Sequence, residues 1–156
     1  MKSSTDLLKT LKLDFLSKYV KSLSIMKSND RLVIEIDPSS LNDVMKELMH
    51  RLGIENVILS TIVGTDFPKD NIIRVDYFIN IIPLKRYIVI RVKLPRNKPN
   101  ISSVLNVFKA ALSGECETYD LLGITFEGNS FLKRAFFVPI EIAEKGTYPL
   151  RKDAKV

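Results

Sequence analysis

A single α+β domain, with a mixed but mainly antiparallel sheet, helices packed on one face and an extended C-terminal tail, is what this sequence predicts. Three observations carry that expectation. Between residues 32 and 94, several runs alternate apolar and polar side chains with a period of two, as half-buried strands do. Other runs repeat apolar residues every three or four positions, as helices covering a sheet do. Periodicity then fades after Pro139, so residues 1–138 read as the folded body and 139–156 as a tail. At 156 residues, 46% of them hydrophobic and 27% charged, the chain can bury one substantial core.

In chain order, residues 5–23 are predicted as an amphipathic helix. Leu8, Leu11, Phe15 and Tyr19 share a stripe, Leu16, Val20 and Leu23 widen it, and Thr5 stands at the N-cap. Asp6 and Asp14 dilute the lysines on the other side, which favours a helix on a sheet over one on a membrane surface. Leu32, Ile34 and Ile36 alternate as a short strand, ended by Pro38-Ser39-Ser40. Ser40 is then expected to cap a helix whose apolar face is Leu41, Val44, Met45, Leu48, Met49 and Leu52, with Gly53 closing it. A β-meander follows, with strands at 54–64, 72–82 and 84–94. Asn100 is expected to cap a helix over 101–112 with Val104, Leu105, Phe108 and Leu112 inward. A short helix over 114–122 would place Glu115 and Glu117 in its first turn, where exposed amides favour carboxylates. Gly123 would end it, and Ile124 and Phe126 would form a brief extended segment.

Charge is unevenly spread. The first 76 residues carry eleven acids and eleven bases, and residues 77–114 carry seven bases and no acid. Residues 115–128 carry four acids and no base, and the last 28 residues carry six bases and three acids. The net charge of +6 thus arises in the second half, around one acidic island. A basic balance of this kind suits nucleic acid, anionic lipid or an acidic protein surface. No apolar run is long enough for a membrane helix, and the N-terminus lacks the apolar centre of a signal peptide. One cysteine, Cys116, excludes an internal disulfide and fits a reducing, cytosolic setting.

Enzyme motifs for nucleotides, phosphates, zinc or a nucleophilic serine are absent from the sequence. His50 has no ligand-type residue at metal spacing and reads as a solvated helix-end histidine. Cys116 sits between Glu115 and Glu117, which oppose its thiolate. Glu117 and Asp120 lie three apart and could share a helix face as an acid/base or cation-binding pair. The simpler reading is that the acids stabilise the helix and pair with bases. Lys85, Arg86, Arg91, Lys93, Arg96, Lys98 and Lys109, with Tyr87 and Phe78, raise an RNA-binding module as an alternative, but the glycine and aromatic order of such sheets is missing.

The acidic island runs Glu115-Cys116-Glu117-Thr118-Tyr119-Asp120-Leu121-Leu122-Gly123-Ile124-Thr125-Phe126-Glu127-Gly128, and Leu132-Lys133-Arg134 and Pro149-Leu150-Arg151-Lys152-Asp153 follow it. These blocks resemble the signature of the 30-kDa (C) subunit family of respiratory complex I and related membrane-bound hydrogenase-type complexes. Three departures stand out. Cys116 replaces the usual arginine, Asn129-Ser130 replaces the usual His-Pro, and Ser113 stands where a tryptophan is usual.

The resemblance implies a peripheral-arm subunit of an ion-translocating membrane oxidoreductase, on the cytoplasmic face of the cell membrane. Such a subunit holds no cofactor, no metal and no catalytic residue. Its partners would be the hydrogenase-like large subunit that lines the quinone site and neighbouring iron–sulfur subunits, in a complex of the NADH, ferredoxin or deazaflavin type, or in a nickel–iron hydrogenase-type complex. Glu115, Glu117, Asp120, Gly123, Gly128 and Arg134, with Arg151, Lys152 and Asp153 of the tail, would be its signature and interface residues. Alanine at Arg151 or Asp153 is then expected to loosen the partner with little effect on the fold. A small hydrolase using Glu117 and Asp120 is a third reading.

Overall fold

The computed structural model describes residues 4–26 and 31–154. Its elements are α1 (Ser4–Thr10), β1 (Val20–Met26), β2 (Arg31–Ile36), α2 (Leu41–Leu52), β3 (Val57–Phe67), β4 (Ile72–Ile81), β5 (Arg86–Pro95), β6 (Asn100–Ser102), α3 (Ala111–Leu122), β7 (Thr125–Glu127) and α4 (Ile140–Glu144). Five strands form one sheet in the order β1-β2-β5-β4-β3, and β6 and β7 form a separate parallel pair. The sheet is mixed, as expected. Three of its pairings are antiparallel, and β2 lies parallel to β5 because α2, β3 and β4 intervene in the chain.

Period-two alternation accounts for the core. Ile73, Val75, Tyr77, Ile79 and Ile81 of β4 point to one side, together with Ile88, Ile90, Val92 and Leu94 of β5, and all are buried. Leu41, Val44, Met45 and Leu48 of α2 cover them. Each such aliphatic side chain contributes roughly 1.5–3 kcal/mol on full burial. Gly53 closes α2 in the left-handed region, with its amide donating to the Met49 carbonyl. The opposite sheet face mixes apolar residues, among them buried Val33 and Val89, with paired charges. Arg91 grips Asp76 with two hydrogen bonds of 2.7 and 2.9 Å, and Lys93 reaches Glu35 at 2.9 Å.

Four expectations need correction. The helix predicted over 5–23 stops at Thr10, where Lys12 turns the backbone to a φ of 55°. A 3-10 segment follows at Asp14–Tyr19, and Val20–Met26 is an edge strand paired with β2. The side chain of Thr5 lies outside the described residues. Val20 and Leu23 have helical spacing and Leu23 and Ile25 strand spacing, and the open ladder of β2 satisfies their backbone groups as a strand.

The helix predicted over 101–112 does not form. Ile101 instead pairs with Phe126 across β6 and β7, followed by turns; Val104 and Phe108 are buried, but Leu112 is exposed. The next helix begins at Ala111 rather than 114, so its first turn holds no acid. Finally, Ser40 occupies the N-cap of α2 without a side-chain bond; Asp37 caps the preceding turn by accepting from the Ser39 amide. Among smaller shifts, β3 starts at Val57 and β5 at Arg86, so Leu84 lies in a turn set by Pro83, and residues 140–144 of the tail form the short α4.

Helix α3 lies against β3 on the buried side. Gly114 makes this close approach possible, because a β-carbon there would sit 3.0 Å from Cβ of Ile62. Glycine at 64 does the same at the other end of the contact, where a β-carbon would collide with Leu122.

Candidate functional site

The acidic island folds into α3 and β7, and its two buried acids face the irregular chain on either side. Glu115 is 0% exposed. Its carboxylate accepts from the Ser103 hydroxyl at 2.7 Å, the Val104 amide at 2.8 Å and Asn129 Nδ2 at 2.9 Å. It therefore ties the segment before α3 to the turn after β7. Asn129, at the position where the resembled pattern has histidine, keeps a donor on Glu115, and its own Oδ1 accepts from the Phe131 amide at 2.9 Å.

Asp120 is also 0% exposed. Four successive amides, of Ala135, Phe136, Phe137 and Val138, donate to it at 3.2, 2.9, 2.7 and 3.0 Å. Ala135 adopts a φ of 59°, and this left-handed residue lets consecutive amides converge on one anion. Burial raises the Asp120 pKa, but the four amides outweigh it and hold the carboxyl below its usual range. Arg134 adds an ion pair at 3.2 Å, donates to the Thr147 carbonyl at 2.6 Å and stacks on Tyr148, 4.2 Å from the ring centre.

Glu117 is exposed, one side of α3 away from Asp120. The two acids predicted to share a face therefore sit in different environments, one solvated and one saturated with donors. Gly123 ends α3 at a φ of 75°, and a β-carbon there would lie 2.8 Å from the Tyr148 ring. Gly128 turns the chain at a φ of 92° between β7 and Asn129. Burial, and then the negative charge of Glu115, push the Cys116 thiol up, with Lys133 opposing, so Cys116 is a poor thiolate nucleophile.

The tail motif returns to the body. Arg151 donates to the carbonyls of Leu122 at 2.8 Å and Arg96 at 3.2 Å. The Lys152 amide donates to Asp66 at 2.9 Å, and Asp153 meets Arg96 at 2.6 Å. Arg96 in turn grips buried Asp66 with bonds of 2.7 and 3.0 Å. The Arg96 guanidinium, ahead of the opposing effect of burial, holds the Asp66 carboxyl below its usual range. Asp66, Arg96 and Ser103 are thus site residues that sequence reasoning passed over. Asp66 reads as a turn former, Arg96 as one base among seven, and Ser103 as a helix residue.

The segment held by Asp120 and Asn129 carries its apolar side chains outward. Phe131, Phe136 and Phe137 are 61%, 56% and 44% exposed, and Ile140 and Leu150 lie in the open as well. Among the described residues, no group of three or more His, Cys, Asp or Glu could hold a metal ion, and no helix is long and apolar enough to cross a membrane. Of the bases considered for RNA, Arg91, Lys93 and Arg96 are engaged by acids of this chain.

The sequence model of the family described as the 30-kd subunit of respiratory-chain NADH dehydrogenase matches residues 34–156. The C subunit of the Rickettsia felis NADH-quinone oxidoreductase is 32% identical over 125 residues, which cover 80% of this chain and 58% of that protein. The C subunit of the Methanosarcina mazei F(420)H(2) dehydrogenase is 30% identical over 128 residues, covering 82% and 78%. Among solved structures, a chain of the membrane-bound sulfane sulfur reductase, an archaeal respiratory membrane complex, shares the fold. Its TM-score is 0.73 at 21% identity, over 99% of this chain and 87% of that one. The chain spans about half the length of several of the relatives it matches. With the family match running over most of its length, the chain belongs to the family of the 30-kDa subunit of respiratory-chain NADH dehydrogenase.

Proposed function

We propose that the chain is a non-catalytic, peripheral-arm subunit of a complex I-like, ion-translocating membrane oxidoreductase. It scaffolds the hydrogenase-like large subunit that lines the quinone site, beside the iron–sulfur subunits, at the cytoplasmic face of the membrane. The observation that carries this reading is the direction in which the signature acids point. Glu115 and Asp120 spend their lone pairs on this chain's own donors, while the segment they hold turns three phenylalanines outward. Chemistry at a carboxylate needs an open acceptor within reach of a substrate. Docking needs ordered, exposed apolar anchors.

The tail motif supports the reading in a different way from the one expected. Arg151, Lys152 and Asp153 close on Asp66, Arg96 and the end of α3, so they act on a partner by keeping this surface in place. The test is reconstitution. Purified chain mixed with the large subunit of the same complex should co-elute at fixed stoichiometry on gel filtration. Alone it should show no flavin or iron–sulfur absorption and no reductase turnover. Failure to co-elute, or a stoichiometric chromophore on the isolated chain, would overturn the proposal.

A further inference from the structure

Between α3 and the segment that Glu115 and Asp120 hold lies a groove of about 680 Å³. Its apolar walls are Leu112, Cys116, Phe131, Leu132 and Phe136. Lys109 and Lys133 also line it, no acid does, and neither lysine has an ion-pair partner among the described residues. Ser113 and Ser130 also line it, and with Cys116 these are positions at which the chain departs from the resembled signature. Serine stands for tryptophan, cysteine for arginine and serine for proline. Each exchange removes bulk, and a tryptophan alone can bury about 150–250 Å². Larger side chains at these three positions would narrow the groove. Its size matches pockets that receive a large apolar group.

We propose that this groove receives a large-subunit segment bearing one large apolar or aromatic side chain flanked by carboxylates. The apolar side chain lies against Leu112, Phe131 and Phe136. The carboxylates meet Lys109 and Lys133, which have no ion-pair partner among the described residues, Lys133 lying over the Phe136 ring at 5.2 Å. Complementary charge at the rim selects an acidic segment over a basic one and sets its register. This rests on the scaffolding reading and adds the place of contact and the chemistry of what fills it.

The test uses the full chain with the purified large subunit of its complex, and measures dissociation constants at two salt concentrations. Ser113→Trp fills the groove at an exposed position, and a K109E/K133E pair reverses the rim charge at exposed positions. Lys69→Glu, in the exposed turn between β3 and β4, is the control for charge alone. Far-ultraviolet circular dichroism confirms that each variant is folded. Ser113→Trp and the double reversal should each weaken binding about tenfold or more, the reversal should also flatten the salt dependence, and Lys69→Glu should bind as wild type. Wild-type affinity for Ser113→Trp overturns the groove as the docking place. Wild-type affinity for the double reversal, or a loss equalled by Lys69→Glu, overturns the acidic segment. A wild-type chain that binds no large subunit overturns the scaffolding reading and the groove's occupant with it.

Discussion

The five-stranded body and the C-terminal third of this chain are held together by different physics. In the body, β2, β4 and β5 pair their backbones with one another and bury aliphatic side chains beneath α1 and α2. After α3 the described residues form only the three-residue β7 and the five-residue α4. There, buried carboxylates supply acceptors that a ladder would have supplied: Asp120 takes four amides and Asp66 a fifth from Lys152, while Glu115 holds the side chain of Asn129. A charged acceptor can order a segment with no regular structure, because each bond to a charged group contributes roughly 1.5–3 kcal/mol and a buried amide left alone is costly. The cost is dependence on single residues.

That difference can be tested from its strongest point. Asp120→Ala leaves four amides without their acceptor and Arg134 without its ion pair. It should destabilise the chain by about 3–5 kcal/mol in urea denaturation, whereas Glu117→Ala, at an exposed position, should change stability by under about 0.5 kcal/mol. Equal effects would erase the distinction between the two acids.

The tail gives a smaller effect. Arg151→Ala removes donors to the carbonyls of Leu122 and Arg96 and should cost about 1–2 kcal/mol. It should also raise the susceptibility of residues 145–154 to proteolysis. This is larger than the little effect on the fold expected from the motif alone, because the motif gives no sign that its arginine folds inward.

Acid acts on the same third of the molecule. Asp120 and Asp66 both titrate below the ordinary carboxylate range in the folded chain. A depressed folded-state pKa contributes stability that is complete above the unfolded value of about 3.9 and is lost as pH falls through the folded value. The C-terminal third should therefore keep its tertiary signal above about pH 4 and lose it below, ahead of the sheet. Far-ultraviolet circular dichroism for the sheet and amide hydrogen exchange of residues 135–138 for the C-terminal third would separate the two transitions. A single shared transition would contradict the division.

The smallest change is predicted for Tyr77→Phe. The Tyr77 hydroxyl is buried without a hydrogen-bond partner among the described residues, and burial and then the charge of Glu115 push its pKa well up. Its removal should be neutral or stabilising, within about 1 kcal/mol. A clear loss of stability would show that the hydroxyl has a role in the Glu115 network.

How much of this is legible in the sequence follows the same division. Strands β2, β4 and β5 can be read because their inward residues alternate without interruption and burial enforces the pattern. Helix α2 can be read from its stripe and from Gly53. Residues 20–26 cannot, because their apolar spacing fits two periods and only the open edge of β2 decides between them. Residues 101–112 cannot, because Ile101 belongs to a strand whose partner, Phe126, lies beyond α3. At the site, the acidic island and its glycines are visible in the sequence, but the direction of each acid is not. Glu115 and Asp120 turn inward because Ser103, Asn129 and the amides of 135–138 wait there, and those donors carry no motif.

The claim at the centre of this account is that the signature acids organise a docking surface. Amide hydrogen exchange of Asp120→Asn, compared with wild type, tests it most directly. The account predicts that the amides of Phe136, Phe137 and Val138 exchange about a hundredfold faster in the variant, the equivalent of about 3 kcal/mol, while those of β4 keep their wild-type protection. Unchanged protection at 136–138, or equal loss of protection in β4, would contradict it.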